Sequence, residues 1–194
     1  MFQLVFRRRY SMAHRLISGI SPKCSVPHGH NEYVEVSIIA KKEKPLDGNV
    51  NMVELFGRAK DRWHKFIDEK IDHSFQLSDK DPLLDFFLKN EPEKVKKIVV
   101  LPGDPTTEML CACFMSKIQS ILDEQNNGLV CQKVSIEETP TNTVVLEGAY
   151  AYKKYFSSDL SSHSKKWWER SDFSINDFSD EVLQKKSKNV GVDG

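Results

Sequence analysis

From residue 32 to residue 41 apolar side chains fall at every second position, as Val34, Val36, Ile38 and Ala40. A two-residue period belongs to a β-strand with one buried face. Phe2, Leu4 and Phe6 repeat the pattern near the N-terminus, in a stretch running to about Tyr10. A loop between the two strands then carries His14, Cys24, His28 and His30. If the strands pair antiparallel, His14 comes close to the other two histidines.

The segment Cys24-Ser25-Val26-Pro27-His28-Gly29-His30 is the densest in chemistry. In extended backbone, His28 and His30 point the same way. Gly29 between them lets another group approach the main chain. Two imidazoles on one face make half of a zinc site, and a third histidine closes a tripod with one position open. A thiol fixed beside such a metal has its pKa lowered.

The remaining pattern alternates helix and strand signals. Pro45-Leu46-Asp47-Gly48 reads as a turn. A helix follows from about Met52 to Lys70, with Phe56, Ala59, Trp63, Phe66 and Ile67 on its buried face. Asp72 and His73 come just past its end. Leu83 to Leu88 suggests a short helix and Lys96 to Leu101 a short strand. A second long helix starts near Asp104, a candidate N-cap, with Pro105 at the first helical position. Leu110, Phe114, Ile118 and Ile121 form its apolar stripe. Strands near 130–138 and 143–152 are joined through Thr139-Pro140-Thr141-Asn142. Together these elements read as an α+β fold, a four-stranded antiparallel sheet with two helices on one face. The tail from Ser157 is polar, with Trp167 and Trp168 as its main apolar content.

Charge excludes some functions. Lys plus Arg equals Asp plus Glu, 28 against 28, so bulk positive charge does not draw this chain to nucleic acid. No apolar run approaches the roughly 20 residues that span a bilayer. Met1 to Arg7 carries its charge after the apolar part, the reverse of a secretory signal. The four cysteines, at 24, 111, 113 and 131, form no disulfide pattern, which fits a reducing, cytoplasmic setting.

Several segments, in order, resemble the 6-pyruvoyl tetrahydropterin synthase and 6-carboxytetrahydropterin synthase family. Ala13-His14-Arg15-Leu16 resembles the family's "AAHRL" opening, and Cys24 with His28-Gly29-His30 its thiol and metal motif. Asp72-His73 is similar to its "DH" element, Pro105-Thr106-Thr107-Glu108 to its "PT-[ST]-E" helix start, and Glu138-Thr139 to its "ET" pair. The three residues between Cys24 and His28 are the spacing typical of the 6-carboxytetrahydropterin branch, which serves the deazapurine route to queuosine. The chain departs from the family by one extra residue after His73, by a turn at Gly48–Asn51 one residue short, by an insertion near 79–104, and by an extension from 153 to 194. Residues 1–152 thus form the family domain.

The resemblance implies a tunnelling fold whose subunits join edge to edge into a barrel, as a trimer or as two stacked rings forming a homohexamer. It implies 7,8-dihydroneopterin triphosphate as substrate and a zinc ion (Zn2+) on His14, His28 and His30. Cys24 would act as the base, and Asp72 and His73 as an acid–base couple. Glu138 would anchor the pterin, with Thr106, Thr107 and Glu108 as further contacts; helix capping alone is the other reading of the threonines. Arg15 and the run Arg7-Arg8-Arg9 are candidates for the triphosphate. His64 and His163 read as surface residues, and Glu137 should face away from Glu138. The alternatives are the 6-pyruvoyl reaction on the same substrate and a non-catalytic zinc- or pterin-binding protein of the same fold.

Overall fold

The structure is a computed structural model that describes residues 1–42, 48–156 and 164–184. The turn expected at Pro45–Asp47 and His163 lie outside the described residues. The strands are β1 (Gln3–His14), β2 (His28–Ala40), β3 (Ser74–Ser78), β4 (Ile98–Leu101), β5 (Leu129–Thr139) and β6 (Asn142–Glu147). The helices are α1 (Phe56–Phe66), α2 (Pro82–Asn90), α3 (Thr107–Gln125) and α4 (Asp180–Gln184).

The sheet has six strands rather than four, in the order β4-β3-β1-β2-β5-β6. Strands β1, β2, β5 and β6 are the antiparallel unit that the alternation foretold. The two added strands run parallel, β3 against β1 and β4 against β3. Parallel neighbours need a crossover connection, which α2 supplies between β3 and β4, and β2 with α1 between β1 and β3. Strand β4 is apolar throughout, and the polar side of β3, Ser74, Gln76 and Ser78, is buried as well. Val99 and Leu101 enter the main core, whereas Ile98 joins Leu77, Leu84 and Val95 in a smaller one beneath α2.

Helices α1 and α3 cover one face of the sheet. Trp63, Phe66 and Phe114 meet ring to ring there, with Tyr10 of β1 against Phe114 at 6.2 Å. Helix α1 is shorter than the sequence suggests. It starts at Phe56 and ends in a single wide π turn, Ile67–Ile71, that delivers Asp72. Helix α3 begins at Thr107, not at Pro105. Its N-cap is Thr106, whose hydroxyl accepts from the Met109 N–H at 3.3 Å. Asp104 instead accepts from the Ile17 and Ser18 N–H groups and pins the chain beyond His14. Strand β6 stops at Glu147, where Gly148 takes a φ of 112° open to glycine.

The C-terminal segment is built into the core. Trp167 is fully buried and its indole N–H donates to the Val100 carbonyl at 2.7 Å. Lys117 of α3, also buried, donates to the Trp167 carbonyl, and burial lowers its pKa to about 8. The Val100 N–H donates to the Ile175 carbonyl, so the outer edge of β4 is covered. The Asn176 side-chain amide donates to the carbonyls of Val95 and Ile98, at 3.0 and 2.9 Å. Asn176→Ala orphans both buried acceptors and should cost about 2–4 kcal/mol, read as a lower urea midpoint. An unchanged midpoint would show that the segment adds nothing to the fold. No helix among the described residues is long and apolar enough to cross a membrane.

Candidate active site

His14 is the last residue of β1, and His28 and His30 open β2. All three therefore lie on paired strands rather than in the expected loop, because the ladder runs on until His14 faces His28 and Met12 faces His30. That close pairing needs Gly29. A Cβ there would sit 2.7 Å from the Met12 carbonyl oxygen. The histidines share the sheet face that carries the helices, and one ring nitrogen from each lies within 4.8 Å of the others.

Carbonyl groups orient two of the rings. His14 Nδ1 lies 3.0 Å from the Pro105 carbonyl and His28 Nδ1 lies 2.8 Å from that of Val26. A carbonyl accepts only, so each Nδ1 carries the proton and each Nε2 keeps its lone pair. The two Nε2 atoms are 3.1 Å apart. Lone pairs held that close favour a cation between them, and carbonyl-oriented imidazoles are the usual outer arrangement of a metal ligand set. Burial, with 4% of His14 exposed, lowers its pKa, and the other two imidazoles add to the effect. His14 thus resists protonation, which suits it to a metal.

Cys24 sits on the short turn Pro22–Ser25. Its carbonyl accepts from the Leu16 N–H at 2.8 Å, which ties it to the chain two residues beyond His14. The Ser21 hydroxyl lies 3.1 Å from its sulfur. Cys24 is half-buried, while Cys111, Cys113 and Cys131 are buried. Burial pushes the thiols of Cys111 and Cys131 up to about 12.

Glu138 and Thr107 meet, the Thr107 hydroxyl donating to Glu138 at 3.0 Å. Since Pro105 binds His14, the start of α3 links this pair to the tripod within one chain. Thr106 is a helix cap, and Glu108 lines a separate cleft of about 450 Å³ beside Val144–Leu146. Glu137 faces the other way and pairs with Arg7.

Asp72 and His73 form the expected couple, His73 Nδ1 lying 2.8 Å from the Asp72 carboxylate. The other Asp72 oxygen accepts from the Ser11 N–H, and the His73 N–H donates to the Ser11 carbonyl. Burial would raise the Asp72 pKa, but the Ser11 bond and the His73 imidazole bring it below the usual value. His73 has a φ of 59°, which turns its side chain outward to 79% exposure. It lines a cavity that none of His14, Cys24, His28 and His30 lines. One chain therefore presents the tripod and the couple to different openings.

The arginines are mostly committed elsewhere. Arg8 donates two hydrogen bonds to the Asp68 carboxylate, and Arg15 donates two to that of the α2 cap Asp81. Arg9 is exposed. His64 is half-buried against the Phe6 ring rather than on the surface, because β1 packs beside α1 there.

One residue escaped the sequence reading. Glu32 follows His30 by two positions on the same strand face and is 1% exposed. It stands opposite Tyr10 in register, and the buried Tyr10 hydroxyl interacts with its carboxylate. An acidic residue at an apolar position of an alternating strand was the available signal. Burial pushes its pKa up to about 7, nearby Glu138 adds to the rise, and Tyr10 opposes it. This value lies above the ordinary 4.5, so the folded chain keeps a proton that the unfolded chain loses between those pH values. Stability from this group is present below pH 4.5 and falls as pH rises through 7. Metal-free Glu32→Gln should gain on the parent by about 2–3 kcal/mol at pH 8 and not at pH 4. Urea midpoints at the two pH values check this, and an equal gap at both would contradict it.

Comparison with known proteins follows the same lines. The profile of the 6-pyruvoyl tetrahydropterin synthase family matches residues 3–149. A relative from Rickettsia bellii, named 6-carboxy-5,6,7,8-tetrahydropterin synthase, is 31% identical over 72% of this chain and 96% of its own. One from Halobacterium salinarum, named as a probable enzyme of that kind, is 32% identical over 70% of this chain and 79% of its own. Among solved structures, an uncharacterized Wolinella succinogenes protein aligns with a TM-score of 0.61 at 21% identity, covering 75% of this chain and 97% of that one. The Caenorhabditis elegans 6-pyruvoyl tetrahydropterin synthase aligns at 0.51 and 23%, covering 76% and 95%. At these identities the structures speak for the shared tunnelling fold.

Proposed function

The chain belongs to the 6-pyruvoyl tetrahydropterin synthase family, and on that basis we propose that it converts 7,8-dihydroneopterin triphosphate to 6-carboxy-5,6,7,8-tetrahydropterin. Triphosphate and acetaldehyde leave, one water is consumed, and the product serves queuosine biosynthesis in the cytoplasm. The observation that carries the reading is the convergence of three imidazoles on paired strands, two of them oriented by carbonyls, with Cys24 tied through its own carbonyl to the chain two residues beyond His14. The names of the curated relatives and the three-residue spacing before His28 favour the 6-carboxy product.

Zinc suits a set of three neutral imidazoles, and bound there it would supply Lewis-acid polarisation of the substrate's side-chain hydroxyls. Cys24, as thiolate, takes a proton from the substrate side chain. Asp72 holds the imidazole of His73 in orientation and stabilises its protonated form. Glu138 accepts two N–H bonds from the 2-amino group and N3 of the pterin, with Thr107 fixing the carboxylate.

The outward turn of His73 supports an assembled site, in which the couple of one subunit serves the tripod of the next. A trimer, or two trimers stacked into a hexamer, is the proposed form. Equal mixing of Cys24→Ala and His73→Ala proteins should restore activity to a fraction of the sites. Failure of every mixture to recover activity would contradict the shared site.

Product identification tests the activity itself. Mass spectrometry after incubation with 7,8-dihydroneopterin triphosphate should show the 6-carboxy product and equimolar acetaldehyde. A product that keeps the three-carbon side chain would assign the 6-pyruvoyl reaction instead.

A further inference from the structure

The cavity that His73 lines has a volume of about 680 Å³ and a rim of Lys94, Lys96 and Lys97. These lysines lie on the turn Pro92–Lys97 between α2 and β4, within the segment that departs from the compact family pattern. Lys97 is fixed in place. Its ammonium donates to the carbonyls of Glu69 and Asp72, at 2.9 and 3.0 Å, and so braces the turn that carries His73. Lys94 and Lys96 are exposed and stand in no ion pair among the described residues. By contrast Arg7, Arg8 and Arg15 are neutralised by carboxylates.

A second observation points to a ligand. Ser74 lines the same cavity, is 4% exposed, and its hydroxyl has no hydrogen-bond partner. Glu93 also lines it, and its carboxylate is the negative group of the lining that opposes an anion. Three ammonium groups against one carboxylate leave the lining positive, and an ammonium is a point-charge binder of phosphate.

We propose that this cavity is an anion site that takes the polyphosphate chain of the substrate. Lys94 and Lys96 supply the charge, Ser74 donates its hydroxyl, and His73 stands where the phosphate chain meets the carbon skeleton. The identity of the anion rests on the pterin reading; the site itself rests on the cavity. In an assembled enzyme, the subunit that lends the Asp72–His73 couple would then also hold the phosphates.

Inorganic tripolyphosphate titrated calorimetrically into the metal-free full-length chain at low ionic strength tests this without a metal centre to report. Binding should be saturable and weaken with added salt. The double variant Lys94→Ala/Lys96→Ala should bind about tenfold or more weakly, while its thermal melt and its affinity for unphosphorylated 7,8-dihydroneopterin stay unchanged. In turnover, KM should rise with little change in kcat. No binding by the parent chain, or equal affinity in parent and variant, would overturn the proposal. Lysine-dependent tripolyphosphate binding in a chain that leaves the pterin substrate intact would uphold the anion site and sink the pterin reading. Turnover with an unchanged KM in the double variant would do the reverse.

Discussion

His28→Ala should abolish metal binding and turnover together. The His28 ring is locked by the Val26 carbonyl, and its Nε2 lies 3.1 Å from that of His14. Without it two imidazoles remain, on adjacent strands. Loss of a mere outer partner typically costs a metal site 10- to 100-fold in affinity, so loss of a direct ligand should cost more than about a hundredfold. Metal content after dialysis, with circular dichroism to show an intact fold, is the measurement. His64→Ala, at a half-buried position against Phe6, is the control and should keep both metal and activity. Equal metal content in parent and His28→Ala would remove the tripod from the account.

Cys24→Ala should keep the metal and the fold but lower kcat by about 10²–10⁴, the usual contribution of a positioned base. The half-buried Cys24 is held at the site by its backbone bond to Leu16. Its three companions are buried, and those at 111 and 131 titrate only near 12. Brief alkylation of the native chain should therefore label Cys24 first and inactivate the protein at one label per chain. Parental kcat in Cys24→Ala would transfer the base role to another group.

Much of this architecture was legible in residue order. The alternation of Val34, Val36 and Ile38 marks the buried face of β2, and the same parity sets His28 and His30 on that face. The stripe of Leu110, Phe114, Ile118 and Ile121 is buried in α3 as its spacing demands. Strand β4 was read as a short strand over Lys96 to Leu101, whereas β3 was missed for a physical reason. Ser74-Phe75-Gln76-Leu77-Ser78 does alternate polar with apolar residues, but it is five residues long and its polar side, Ser74, Gln76 and Ser78, is buried, so neither length nor a solvated face marks it as a strand. His14 was assigned to a loop because the strand was read through Arg7-Arg8-Arg9 only to about Tyr10, and the polar His14 fills a position that the parity of β1 makes a buried one. Those arginines lie along an exposed stretch where Arg7 and Arg8 find carboxylates from distant elements. Thr107 and Glu138 were named from motifs alone, and only the packing of α3 on the sheet separates Thr107, on Glu138, from Thr106, on its own helix. Trp167 and Asn176 sit in a polar tail, and nothing local announces that they seal β4.

The central claim is that the His14–His28–His30 tripod loads a metal on which turnover depends. Zinc titrated into metal-free protein, with consumption of 7,8-dihydroneopterin triphosphate followed at each addition, tests it most directly. Activity should rise in proportion to metal and stop rising at one zinc per chain. Full activity in the metal-free, chelator-treated protein would contradict it.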